Sequence, residues 1–311
     1  SLLIVLALGM GIRAWFDFTV MIVLSLLAAL SIAMLNVILP TVIRSEFKDN
    51  IPKMTGLYTT TASTFASISA FVTVPLVQAF GSFQASLTFW VIPSILAIAC
   101  WLLLQRIEKE KLEQVHAEVA HPNSAVFRSP MTWAITGLFG IQSANFYAIL
   151  NWFPSLLESE GYSRLAAGAW LSVVTVIGIP VGLFVSQNLS RFKNLSRFAV
   201  LISLFTALGF ALMLAGGWVQ LAGALCTGIG LGTTFPLSLA LIGVKGTTKA
   251  QTTLLSAVTQ GAGYLIAAAG AFTMGMLYDL TGSWGASLIT LTVTAIVQAV
   301  CAGYAASKRP L

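Results

Sequence analysis

Long uncharged stretches alternate with short polar gaps along the whole chain. A helix needs about 20 apolar residues to span a bilayer, and most of the stretches have that length. Ser1–Ile12 is a partial run and Phe18–Ile43 predicts one full span. Residues 54–105 carry no charge and have the length of two spans, with a break at Phe80-Gly81-Ser82-Phe83-Gln84. A polar loop follows, from Arg106 to Arg128. Beyond it, Met131–Leu157, Leu165–Leu189, Phe198–Val244, Ala250–Tyr278 and Trp284–Ala306 predict six more spans, since Phe198–Val244 divides at Gly216-Gly217-Trp218. The pattern predicts an all-α polytopic membrane protein.

Charge orients the weave. Fourteen of the sixteen basic residues occupy every second gap: Arg44/Lys48/Lys53, Arg106/Lys109/Lys111/Arg128, Arg191/Lys193/Arg197, Lys245/Lys249 and Lys308/Arg309. Lys and Arg resist translocation, so those gaps are expected on the cytoplasmic side, together with the C-terminus and the 106–129 loop. The gaps at about residues 13–17, 79–84, 158–164, 215–220 and 279–283 then face out, in a cell inner (plasma) membrane protein.

Composition agrees with a lipid environment. Charged residues are 8% and apolar residues 57% of the chain, against about 25% and about 45–50% in soluble proteins. The net charge of +6 does not point to nucleic acid, because the basic residues are scattered among short loops. Cys100, Cys226 and Cys301 lie far apart inside apolar stretches, so neither a complete disulfide framework nor metal-ligand spacing is present. His116 and His121 sit in the polar loop among Glu108, Glu110, Glu113 and Glu118. A solvated charged helix accounts for them better than a metal site, and no cofactor is expected.

The chain also resembles itself. Gly81-Ser82-Phe83-Gln84-Ala85-Ser86-Leu87 matches Gly282-Ser283-Trp284-Gly285-Ala286-Ser287-Leu288 at a constant offset, and Leu39-Pro40 corresponds to Phe235-Pro236. Two homologous six-helix halves joined by a cytoplasmic loop would produce this pattern, a parallel-repeat transporter design. The domains expected are an incomplete N-terminal half at 1–105, a linker at 106–129 and a C-terminal six-helix half at 130–311. The first residue is not Met and lies within an apolar run. On that count about two and a half helices precede it.

Several stretches carry a family resemblance: Asn36-Val-Ile-Leu-Pro40, Met54-Thr-Gly-Leu-Tyr-Thr-Thr-Thr61, Gly140-Ile-Gln-Ser-Ala-Asn-Phe-Tyr147, Phe235-Pro-Leu-Ser-Leu-Ala-Leu-Ile-Gly243, Gly261-Ala-Gly-Tyr264 and Asp279-Leu-Thr-Gly-Ser-Trp284. Together they resemble major facilitator superfamily transporters, and more narrowly the cyanate/2-nitroimidazole transporter branch. The resemblance implies that the first full span is the fourth of twelve helices. It also implies a cytoplasmic loop motif after helix 8, which here runs Gly182-Leu-Phe-Val-Ser186-Gln-Asn-Leu-Ser-Arg191-Phe-Lys193, with Ser186 in place of the usual acid.

Chemistry in the spans rests on uncharged polar side chains, which are costly in lipid and normally face the bundle interior. The candidates are Asn36, Tyr58, the Thr59–Thr61 run, Gln142, Asn145, Tyr147, Asn151, Gln260 and Tyr264. Gln142 and Asn145 share one helical face, Tyr147 and Asn151 another. Each could instead serve only in interhelical hydrogen bonds. Gly223, Gly228, Gly230 and Gly232 form a small-residue strip that lets helices approach; a phosphate loop would need a preceding strand and a basic partner. Pro40, Pro180 and Pro236 are expected to kink their helices.

The spans hold no Asp, Glu, His, Lys or Arg at depth. An intramembrane enzyme would need such groups, so no enzyme is expected, nor a carboxylate proton relay within these residues. The expectation is a secondary transporter, monomeric, moving a small polar or anionic solute by alternating access. A non-transporting remnant or sensor derived from such a protein remains the alternative. The resemblance implies a small anion, for which a cation on an upstream helix is expected; without one, a neutral heteroaromatic solute cradled by Tyr58, Tyr147 and Tyr264 is favoured.

Overall fold

Apolar runs punctuated by Gly, Ser and Thr fold into helices joined by tight turns. The computed structural model describes residues 2–107 and 125–309, and among these there is no strand. The order is α1 (Leu2–Ile12), α2 (Phe18–Glu46), α3 (Ile51–Phe80), α4 (Phe83–Phe89), α5 (Val91–Ile107), α6 (Ala125–Arg128), α7 (Pro130–Ser159), α8 (Arg164–Gln187), α9 (Leu195–Met213), α10 (Gly217–Lys245), α11 (Lys249–Thr281) and α12 (Trp284–Ala305). Most of the polar loop, with His116 and His121, lies outside the described residues.

Among the described residues, seven helices are long and apolar enough to cross a membrane, with Phe83–Leu103 counted as one. That span is interrupted at Trp90, which separates α4 from α5. Pro93 has no N–H to offer the Phe89 carbonyl, so the helical ladder breaks there. The 30-residue α7 lacks charge over 131–157 but is less apolar, because Gln142, Asn145 and Asn151 interrupt it. Pro40, Pro180 and Pro236 lie inside α2, α8 and α10, which continue past them.

Helix starts are capped as free backbone N–H groups require. Ser82, Ser129, Ser163, Asn194, Thr248 and Ser283 each accept a backbone N–H of the following turn. The internal repeat reappears as matching turns. Gly81 (φ +60°) precedes the Ser82 cap, and Gly282 (φ +66°) precedes the Ser283 cap.

The chain divides into two compact units, Ser1–Leu39 with Ile68–His121, and Pro40–Ser67 with Pro122–Leu311. In the first, α1 packs on α4 and α5. The Trp15 indole N–H donates to Thr88 Oγ1 at 2.9 Å, and Thr88 donates to the Gly11 carbonyl at 3.1 Å.

The second unit is a bundle of α7–α12 joined by the 40–67 stretch. Its most extensive contacts run between α7 and α11, α9 and α10, α9 and α12, and α8 and α10. The expected glycine strip serves two neighbours. Gly228 and Gly232 press on α8 at Val174, Gly178 and Gly182, while Gly223 and Gly230 press on α9 at Gly209 and Thr206. Lipid tails are as apolar as Leu, so close backbone approach supplies attraction that hydrophobic burial cannot.

Two apolar cores form in this bundle. One gathers Met131, Ile135, Phe139, Val185, Leu237 and Ala302, the other Phe153, Leu157, Val174, Phe210, Leu221 and Leu288. Buried between them along the chain are Gln142, Ser143 and Asn145 of α7, Ser203 and Thr206 of α9, Thr233 and Thr234 of α10, and Gln298 of α12. The bundle therefore carries a polar layer at middle depth.

Candidate functional site

Asn145 anchors the polar layer. It is fully buried, accepts from Thr294 Oγ1 at 2.9 Å and donates to Gln298 Oε1 at 3.4 Å. Gln298 in turn donates to Ser203 Oγ at 3.3 Å, and Ser203 donates to the Ala199 carbonyl at 2.9 Å. Three helices, α7, α9 and α12, are thus bound by side chains through a region where no backbone group is free to help. The amide of Asn145 is spent on this chain.

Gln142 lies one turn away with 2% of its surface exposed. Its N–H reaches Ser143 Oγ at 3.3 Å, while its Oε1 has no partner within the protein. An acceptor left so costs about 1–3 kcal/mol, unless a solvent or solute donor reaches it. On α11, Gln260 is buried and donates to Ser256 Oγ at 2.9 Å. Thr136 Oγ1 approaches Thr259 Oγ1 at 3.5 Å across the α7–α11 contact.

The aromatic candidates separate. Tyr264 stands edge-on to Phe139, ring centroids 5.3 Å apart, and Phe139 lies 6.3 Å from Phe235. Tyr58 packs against the same core as Tyr264, so those two are brought together. Tyr147 is on a different face of α7, edge-on to Phe146, and is an exposed aromatic. Asn151 donates to the Tyr147 carbonyl at 2.8 Å, the i, i+4 neighbour that helical spacing predicts. Asn36 belongs to the first unit and is half-buried there.

No cluster of three or more His, Cys, Asp or Glu able to hold a metal occurs among the described residues. Among the described residues, the buried polar side chains are amides and hydroxyls. The sequence model of the Major Facilitator Superfamily matches residues 1–271. The chain belongs to that superfamily.

Its relatives narrow the placement. The chain is 29% identical over 279 residues to the 2-nitroimidazole transporter of Escherichia coli (strain K12), covering 88% of this chain and 70% of that protein. It is 30% identical over 275 residues to the uncharacterized transporter YycB of Bacillus subtilis (strain 168), covering 88% and 67%. It is 24% identical over 287 residues to the cyanate transport protein CynX of Escherichia coli (strain K12), covering 91% and 73%. The fold matches crystal structures of the fucose:proton symporter FucP of Escherichia coli. One, in the outward conformation, gives a TM-score of 0.75 at 16% identity, covering 99% of this chain and 82% of that one. A structure of a FucP point variant gives 0.71 at 17% identity, covering 99% and 83%. This is a multi-span membrane protein of a transporter superfamily.

Sequence reasoning missed Gln298, Thr294 and Ser203, although Gln298 is an isolated amide in an apolar span and the rule that selected Asn145 selects it too. It also treated Arg44 only as a topology marker.

Proposed function

We propose that this superfamily member is a secondary transporter that carries a small polar solute across the inner membrane, with its basic gaps and C-terminus cytoplasmic. The observation that carries the reading is the uncharged polar layer inside the bundle, in a chain related to a 2-nitroimidazole transporter and a cyanate transport protein. Gln142 Oε1 calls for a donor, Tyr58 and Tyr264 offer a shared aromatic surface, and Tyr147 and Asn151 lie on an open face of α7. Gln260 completes the proposed solute set within the second unit, and Asn36 is a proposed solute contact of the first. Asn145 holds the set in place through Gln298 and Thr294.

A flat heterocycle with hydrogen-bonding nitrogens suits these groups better than a compact anion. The described spans place no cation at depth, and an anion stripped of water needs one. Alternating access would follow from rocking one half of the repeat against the other.

Uptake of labelled 2-nitroimidazole and of cyanate into cells expressing the chain tests this. Uptake of the heterocycle, abolished by Gln142→Ala and by Tyr264→Ala at unchanged expression, is the expected outcome. Cyanate uptake alone overturns the choice of solute class. Normal uptake in both variants removes Gln142 and Tyr264 from the site.

A further inference from the structure

α10 begins at Gly216 with no side-chain cap. Its first intrahelical bond runs from the Gln220 N–H to the Gly216 carbonyl at 3.2 Å. The N–H groups of Gly217, Trp218 and Val219 precede that ladder and point along the helix axis. A Cβ built on Gly216 or on Gly217 would meet nothing within 4 Å, so the space beside these donors is open. The first turn holds no acid, and Trp218 and Val219 are 81% and 46% exposed.

Gln220 adds the second half of a site. Its side chain is 1% exposed, and neither Nε2 nor Oε1 has a partner within the protein. A helical side chain leans toward the N-terminus and covers the turn before its own Cα. The Gln220 amide is therefore directed at the Gly216–Val219 turn. Buried amides are hydrogen-bonded as a rule, and this one calls for a group from outside the protein.

Residues 198–244 carry no charge, so attraction for an anion comes from the positive end of the helix dipole, about half a unit charge. Half a charge offsets the desolvation of a monoanion better than that of a dianion. A singly charged phosphate presents separate oxygens to the converging N–H groups and to Nε2. A protonated phosphate oxygen, or a hydroxyl of a glycerol headgroup, would satisfy Oε1. We infer that the N-terminus of α10, together with the Gln220 amide, binds a singly charged phosphate group, carried by a phospholipid or free in solution. The site uses none of the proposed solute contacts.

Scintillation-proximity binding to the full chain, purified and delipidated in detergent, tests this with three labelled probes. They are dioleoylphosphatidylglycerol, inorganic phosphate in mildly acid buffer, and dioleoylglycerol, which has the same tails and no phosphate. Gln220→Leu is expected to weaken phosphatidylglycerol or phosphate binding about tenfold, the scale of one charged hydrogen bond. Val219→Glu places a carboxylate in the first turn and should abolish binding, whereas the neutral Val219→Gln should preserve it. Without ligand, none of the three should unfold earlier than the parent chain, since leucine removes an unpaired buried amide and position 219 is exposed. Binding of the lipid alone supports the site with a phospholipid headgroup as its occupant, and binding of phosphate alone supports it with the free anion. Failure of both to bind overturns the inference, as does equal binding of dioleoylglycerol and phosphatidylglycerol. Unchanged affinity in Gln220→Leu overturns it too. Should that variant fail to fold, Val219→Glu decides, and unchanged affinity there overturns the site.

Discussion

Gly178 of α8 and Gly232 of α10 meet backbone to backbone, so that a Cβ on Gly178 would lie 2.8 Å from the Cα of Gly232. Nothing at that crossing can rotate aside. Gly232→Val must push two helices apart, and overpacking of this kind costs about 1–3 kcal/mol even where side chains can move. Folded yield and thermal midpoint in detergent should both fall sharply. Gly261→Ala, whose Cβ would meet nothing within 4 Å, should instead gain about 0.5–1 kcal/mol from reduced backbone freedom.

The Asn145–Gln298 bond supports a double-mutant cycle. Asn145→Leu leaves Gln298 Oε1 without its donor inside the bundle, though Gln298 keeps its bond to Ser203, and should cost about 1–3 kcal/mol. Gln298→Leu leaves Asn145 its bond from Thr294 and should cost a similar amount. The double variant should be milder than the sum, with a coupling of about 0.6–1.7 kcal/mol, the range seen between membrane helices. Reversible unfolding in mixed micelles measures all three, and strict additivity would remove the bond from the account.

The repeated turn gives a paired prediction. Gly282 sits at φ +66°, a left-handed conformation that costs an L-residue about 1–2 kcal/mol. Gly282→Ala should be destabilising by about that amount. Gly285→Ala, three residues on inside α12, meets only Ser283 Oγ at 3.5 Å and should be neutral or mildly stabilising. Thermal unfolding of the two variants side by side separates backbone conformation from packing.

Tyr264 separates ring from hydroxyl. Tyr264→Phe keeps the edge-on contact with Phe139, ring centroids 5.3 Å apart, and removes the hydroxyl alone. If the hydroxyl bonds the solute, half-saturation for 2-nitroimidazole uptake should rise about threefold to tenfold, the worth of one neutral hydrogen bond. Transport kinetics of the variant at matched expression decide the point.

Much of this architecture was legible without coordinates. The spacing of apolar runs predicts the long helices, because a bilayer admits few other solutions for a chain with so little charge, but not the break at Trp90 that divides one such span into α4 and α5. The glycine strip announces close helix contact, since a residue lacking Cβ has little other use in a buried span. The turn at Gly282-Ser283 announces its twin at Gly81-Ser82. Periodicity could not say which neighbour each glycine meets, and Gly228 and Gly230, two residues apart, press on different helices.

The polar residues show the division most clearly. Residue type and spacing are enough to put Gln142 and Asn145 inside the bundle on one face of α7, because an amide in lipid is costly and helical spacing is regular. The packing of distant helices is what gives Asn145 to Thr294 and Gln298, leaves an oxygen of Gln142 open and closes Arg44 on the end of α10. Those pairings join residues about 150 to 200 positions apart. Local composition sets where a side chain can stand, whereas its partner is set by which helices pack together, and that choice belongs to the whole chain.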